Sequence, residues 1–292
     1  MAATTGTYHD GGWRSADGLR LHYRDYPGDG EATPVLCIPG LTRNARDFAA
    51  VAERLSPARR VIAIELRGRG GSEWATDFES YNAGVYLADI QALLDMLAVP
   101  RWAVFGTSLG GILAMLLGAA GDPSLAGVLL NDIGPIVEEA GLERIRGYVG
   151  ASARWREWGE ASAAIAATHA HAFPDYRAED WMAMAHRLCR EADGAITPDY
   201  DPAIAILVRQ PTPSLPEPWA LFDRLRDIPA LLVHGALSDI LRADIAEEMA
   251  RRLPGMERVT LPRVGHAPTL DEPDCRAAID RLLARIDRRE RR

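Results

Sequence analysis

Lysine is missing from this chain of 292 residues: all 33 basic side chains are arginine, set against 41 acidic ones for a formal charge of −8 at pH 7. Without a deprotonatable amine side chain, Schiff-base catalysis is excluded. A phosphate-binding loop of the Walker type would lack the lysine that reaches the β/γ-phosphates. A GC-rich coding bias, which favours arginine, alanine and glycine codons together, would account for the absence. Cysteine is scarce. The three thiols, Cys37, Cys189 and Cys275, are odd in number, far apart and without C-x-x-C spacing, which fits neither a disulfide framework nor a zinc site. Buried, inert thiols are expected. Long apolar runs are missing as well, the longest lying near residues 110–120 and too short to span a bilayer. Residues 1–13 have neither a cationic start nor an apolar h-region, so a cytoplasmic protein is expected. Clustered positive charge is confined to the tail at 285–292, which reads as a frayed terminus, so nucleic acid is not an expected partner.

What is present suits one large α/β domain carrying an insertion. Two short segments between residues 12 and 26 flank Ala16-Asp17-Gly18 and read as an antiparallel hairpin. Six apolar runs follow, at 35–38, 61–66, 103–105, 127–130, 230–233 and 258–261. Most are apolar on both faces, as buried parallel strands are. Amphipathic stretches at 48–55, 85–97, 109–118, 242–253 and 274–286 lie between them and predict helices. Alternation of this kind makes βαβ units and a parallel sheet wrapped by helices. Between Gly134 and Trp219 it stops. No strand is evident there, only helical patterns, four tryptophans (Trp155, Trp158, Trp181, Trp219) and a closing proline-rich stretch at 211–218.

The sharpest feature is Phe105-Gly106-Thr107-Ser108-Leu109-Gly110-Gly111, between an apolar strand and an apolar helix. G-x-S-x-G in that setting is a nucleophile elbow, a strained turn on which only glycines fit beside the serine. A serine hydroxyl is a weak nucleophile at pH 7 and needs a histidine base, itself oriented by an acid. Two downstream positions qualify. Asp239 follows the strand ending Leu232-Val233-His234-Gly235, at a strand's C-terminal end, where open α/β sheets build their sites. His266 lies in Val264-Gly265-His266-Ala267-Pro268, after the last strand. The chain order Ser108, Asp239, His266 matches the acyl-transfer triad of such sheets.

With these residues the chain resembles the α/β-hydrolase fold superfamily from residue 12 to about 283. The resemblance extends to Ile38-Pro39-Gly40-Leu41, similar to the family's His-Gly oxyanion segment with proline in the histidine's place. It also includes Glu65-Leu66-Arg67-Gly68-Arg69-Gly70-Gly71-Ser72, similar to D-x-R-G-x-G-x-S with glutamate for aspartate. The resemblance implies a mostly parallel eight-stranded sheet flanked by helices. Residues 1–133 and 220–292 would form the core, with a helical cap at 134–219 inserted after the sixth strand. It implies backbone N–H groups of Leu41 and Leu109 as the oxyanion hole, each worth a few kcal/mol in the barrier. Some members carry the acid after the preceding strand, which makes Asp132 the alternative to Asp239.

The expected activity is that of a serine hydrolase on a small or medium, hydrophobic carboxylic ester or lactone, without cofactor or metal, as a monomer or homodimer. The same triad would also serve carbon–carbon hydrolysis of a dienoic ring-cleavage product, perhydrolysis, or aminopeptidase action, the last using Glu138, Glu139 or Glu143 to hold an ammonium. A ligand receptor with negligible turnover is the reading from another class. Phe173, Met182, Met184 and Tyr200 join the cap tryptophans as candidates for an apolar pocket. His234 is expected to be structural. His169 and His171 are placed either at the surface or facing substrate from the cap. Arg43, Asn44 and Asp47 are either solvated helix-start residues or part of the pocket mouth.

Overall fold

A strand with two apolar faces is stable only when both are covered, and here two helical layers do so. The computed structural model describes residues 8–28, 31–210 and 217–290. The first seven residues of segment 1–13, residues 211–216 of the proline-rich stretch and the last two arginines of the tail lie outside the described residues. In chain order the core begins with β1 (His9–Arg14) and β2 (Arg20–Tyr26), then β3 (Val35–Ile38), α1 (Ala49–Leu55), β4 (Val61–Glu65), α2 (Ala83–Leu97), β5 (Trp102–Thr107), α3 (Leu109–Ala120) and β6 (Leu125–Asn131). The segment after β6 carries α4 (Glu139–Tyr148), α5 (Trp158–His169), α6 (Ala178–Leu188), β7 (Cys189–Ala192), β8 (Ala195–Pro198), α7 (Ile204–Val208) and α8 (Pro218–Asp223). The chain then returns through β9 (Ala230–Gly235), α9 (Ala243–Arg252), β10 (Glu257–Leu261) and α10 (Pro273–Glu290).

Eight strands form one sheet in the order β1-β2-β4-β3-β5-β6-β9-β10. The β1–β2 hairpin and the β2–β4 pairing are antiparallel, and every pairing beyond β4 is parallel. Successive residues point to opposite faces. Leu36, Ile38, Ile62, Ile64 and Val104 pack against α2, α3 and α9, whereas Val35, Cys37, Val61, Ala63 and Phe105 pack against α1 and α10. Because β3 lies between β4 and β5, the winding reverses there. The loops after β3 and β5 therefore open side by side, at the switch point where such sheets bind ligands.

The predicted strands are all present, with β5 and β6 a residue or two longer at each end. One expectation is overturned: the interval 134–219 is not free of strands. β7 and β8 make an antiparallel hairpin pairing Cys189 with Pro198. Its two-residue turn, Asp193-Gly194, has φ of 51° and 67°, the conformation in which Asp-Gly is favoured because the turn's twist matches that of the strands. The dipeptide was the available signal. Strands of four residues, with only Cys189 and Ile196 buried, carry little hydrophobic pattern.

The hairpin's exit is stitched to the core. Gly70 N–H donates to Asp199 O at 3.1 Å and Asp201 N–H to Gly68 O at 2.7 Å. The Tyr81 hydroxyl donates to Asp201 at 2.5 Å, and Arg46 pairs with the buried Asp199 carboxylate at 2.6 Å. Among the described residues, no helix is long and apolar enough to cross a membrane.

Candidate active site

Strand β5 ends in the turn that presents Ser108. Its φ of 52° and ψ of −117° lie in a region that costs on the order of 1–3 kcal/mol for a residue with a side chain. The surrounding glycines make the turn possible: a Cβ on Gly106 would collide with the Gly110 carbonyl, and one on Gly110 with the Ile38 carbonyl. The turn is anchored by Ser108 N–H donating to Asn131 O at 3.1 Å.

The Ser108 Oγ lies 2.9 Å from His266 Nε2, and His266 Nδ1 lies 2.8 Å from Asp132 Oδ2. An ionised carboxylate can only accept, so Nδ1 carries the imidazole proton and Nε2 is left to accept from the serine hydroxyl. Asp132 is completely buried, with φ of 54° one residue beyond β6. Its Oδ1 accepts from Gly235 N–H at 2.8 Å, and its Oδ2 also accepts from Ser238 Oγ at 2.6 Å.

The acid expected at Asp239 is therefore a correction. Asp239 makes no hydrogen bond to His266 and is held instead by the Arg144 guanidinium from α4, through a short Nε contact and an Nη2–Oδ1 bond of 2.8 Å. Burial works against its charge, but Arg144 outweighs burial and holds the carboxyl below its ordinary range. The two aspartates follow neighbouring strands, β6 and β9, so both approach the same corner. Sequence position could not separate them. Asp132 rather than Asp239 reaches His266: its left-handed backbone turns the carboxylate toward the β9 end, where Gly235 and Ser238 receive it. Ser238 was not picked out from the sequence; its only signal is its place beside Asp239.

Leu41 lines the cavity beside Ser108, and Gly40 packs between the Ser108 and Arg43 side chains. Leu109 opens α3. The first intrahelical bonds go from Gly111 and Ile112 N–H to Ser108 O, so the Leu109 N–H lies ahead of the ladder, where helix donors are unspent. Arg69, fully buried, donates Nε to Leu41 O at 2.8 Å. Below the same loop, Glu65 accepts from Ala45 N–H, from Gly71 N–H and, at 2.8 Å, from His22 Nδ1.

A cavity of about 650 Å³ opens over Ser108 and His266. Trp155, Phe173, Met184 and Tyr200 line it. The other aromatic candidates lie elsewhere: Trp158 packs on His186, Trp181 stands edge-on to Phe173 and Tyr176, and Trp219 packs on Phe222 beneath Arg252. Arg43 and Asp47 face the cavity, so they belong to the pocket, while Asn44 is buried as the cap of the turn at Ala45–Phe48. His169 is in the wall; burial, then the nearby Arg43 and Arg144 charges, push its pKa down to about 3, leaving a neutral imidazole. His171 is exposed. His234 is buried against Leu241 O and Thr260, as a structural residue. Glu138, Glu139 and Glu143 do not line the cavity; Glu138 and Glu139 pair with Arg242 and Arg146.

The Alpha/beta hydrolase family model matches residues 35–278. The chain belongs to the α/β-hydrolase family. A crystal structure of an alpha/beta hydrolase from Novosphingobium aromaticivorans superposes with a TM-score of 0.92 at 48% identity, covering 96% of this chain and 99% of that one. The 3-hydroxybutyrate-oligomer hydrolase of Cupriavidus necator is 32% identical over 263 residues, 87% of this chain and 89% of that protein. The 2-(acetamidomethylene)succinate hydrolase of Mesorhizobium japonicum is 26% identical over 239 residues, 81% and 82% of the two chains. This α/β hydrolase thus shares its fold with enzymes of several named substrates, and the fold alone does not choose among them.

Proposed function

We propose that this α/β hydrolase cleaves a carboxylic ester through an acyl-enzyme on Ser108. The observation that carries the reading is the chain Ser108 Oγ, His266, Asp132 opening into the cavity. Ser108 Oγ attacks the acyl carbon while His266 Nε2 takes its proton, and the carbonyl oxygen becomes an oxyanion held by Leu41 and Leu109 N–H. Preorganised donors of this kind lower the barrier by about 3 kcal/mol each. Collapse of the tetrahedral adduct expels the alcohol, which leaves with the Nε2 proton. Water then attacks the acyl carbon, gives a proton to Nε2, and the acid departs as that proton returns to Ser108 Oγ. Asp132 holds the tautomer and balances the imidazolium.

Support for an ester bond comes from the Cupriavidus relative, since an oligomer of a hydroxy acid is joined by esters. The segment 134–219 serves as the cap over the site. Fluorophosphonate labelling mapped by mass spectrometry, with hydrolysis of short p-nitrophenyl esters, tests the proposal. Labelling is expected at Ser108, and both labelling and turnover are expected to vanish in Ser108→Ala with the fold unchanged. Ester hydrolysis persisting in that variant would overturn the assignment.

A further inference from the structure

We propose that Arg43 and Arg187 form a carboxylate-binding subsite in the cavity, so that the ester acted on carries a free carboxylate; the substrate class rests on the serine-hydrolase reading above. Both residues line the cavity, Arg43 from the loop carrying Leu41 and Arg187 from the last turn of α6. One carboxylate lies between them. Asp47 is gripped by Arg43 through Nε at 2.5 Å and Nη2 at 2.8 Å, while Arg187 Nε stands 3.9 Å from it, too far for a hydrogen bond. Arg187 has no side-chain hydrogen bond among the described residues, and neither does Nη1 of Arg43. Both side chains are three-quarters buried or nearly so.

The other carboxylates of the cavity wall are engaged elsewhere. Asp271 is bound by both forks of Arg276 at 2.9 and 2.8 Å, and Asp180 accepts from Arg177 N–H at 2.9 Å in the capping box of α6. Asp199, near the same wall, is taken by Arg46. Arg187 is a part-buried cation without a hydrogen-bonding partner, which is costly, and its open fork with the remaining Nη1 of Arg43 beside it suits a planar carboxylate. Ile145, Val149, Ile165 and Phe173 line the cavity as well, so the ligand combines an aliphatic body with an anionic end. A linear hydroxy-acid ester has that polarity.

Binding to the Ser108→Ala protein separates this inference from the chemistry. Calorimetric titration with ethyl hydrogen adipate and with diethyl adipate is expected to show the monoanion binding at least about tenfold more tightly. Added salt is expected to shrink that preference. In Ser108→Ala/Arg187→Gln the ratio of the two affinities is expected to fall to about one. The Arg187 side chain holds no hydrogen bond, and its main-chain carbonyl, which receives Asn44 and Arg46, is retained, so the fold should persist; Arg187→Lys, which keeps the charge, is expected to recover part of the preference. Equal or tighter binding of the diester, or a ratio unchanged by both Arg187→Gln and Arg43→Gln, overturns the subsite. Persistent turnover in Ser108→Ala would instead overturn the serine mechanism.

Discussion

Ser238 donates its hydroxyl to the same Oδ2 of Asp132 that meets His266, at 2.6 Å. The oxygen that orients the imidazole is thereby held from a second side, and Ser238 Oγ also accepts from Ile240 and Leu241 N–H, at 3.2 and 3.1 Å.

Ser238→Ala should therefore act twice. Loss of one bond to Asp132 is expected to lower kcat by about tenfold, a change of roughly 1.4 kcal/mol. Stranding the two amides is expected to cost about 1–3 kcal/mol of stability. Steady-state kinetics and urea unfolding would measure the two effects, and an unchanged kcat would show that Gly235 alone suffices to hold Asp132.

Asp132→Asn is expected to reduce kcat by about 10³–10⁴-fold, because the amide no longer enforces the Nδ1-protonated tautomer. Asp239→Asn removes one end of a partly exposed ion pair, worth about 1 kcal/mol or less, and kcat should stay within a few-fold of the parent. Rates on p-nitrophenyl acetate compare them directly; the reverse ranking would return the acid's role to Asp239.

The strands of the large sheet and the elbow were readable because hydrophobic runs, turn glycines and the G-x-S-x-G spacing are local signals. Asp132 and Asp239 were ambiguous because adjacent parallel strands bring their ends to one corner, and the choice depends on a backbone φ and on Arg144, residues away in sequence. Arg43 was readable as a pocket-mouth candidate, but its meeting with Arg187 at the cavity wall is a product of assembly. They are far apart in the chain and meet only when α6 is laid over the loop after β3.

Arg69 positions Leu41 through the carbonyl it binds. Arg69→Met is expected to lower kcat by about tenfold or more with KM nearly unchanged, since the oxyanion donor matters most as charge develops. A general loosening of the fold would move KM and the unfolding midpoint together, which separates the two explanations. A parallel fall in the fluorophosphonate labelling rate would support the positioning role.

His22, between Glu65 and Asp10, titrates above its ordinary value of 6.5: burial opposes its charge, but the two carboxylates outweigh that. Its contribution to stability is thus complete below about pH 6.5 and is lost as pH rises through the raised value. Glu65 moves the other way. Burial disfavours its charge, yet His22 and the Gly71 and Ala45 amides bring it below 4.5, so its contribution is present above that pH and lost as pH falls through the lowered value. The stability difference between the parent and His22→Asn should be largest between about pH 4.5 and 6.5 and narrow on the alkaline side. Urea midpoints across pH 4–9 would show it, and a difference independent of pH would count against the charged pair.

The stitching of Asp199 and Asp201 to Gly68 and Gly70 fixes one margin of the segment 134–219 to the core. Main-chain bonds there join that segment to the turn whose Arg69 holds the Leu41 carbonyl. The side around α4 and α5 is tied as well, by Glu138 N–H to Ile240 O at 3.1 Å, by Gly265 N–H to Ala172 O at 2.7 Å and by Arg144 to Asp239, so the segment is clamped to the core at more than one margin, once directly beside His266.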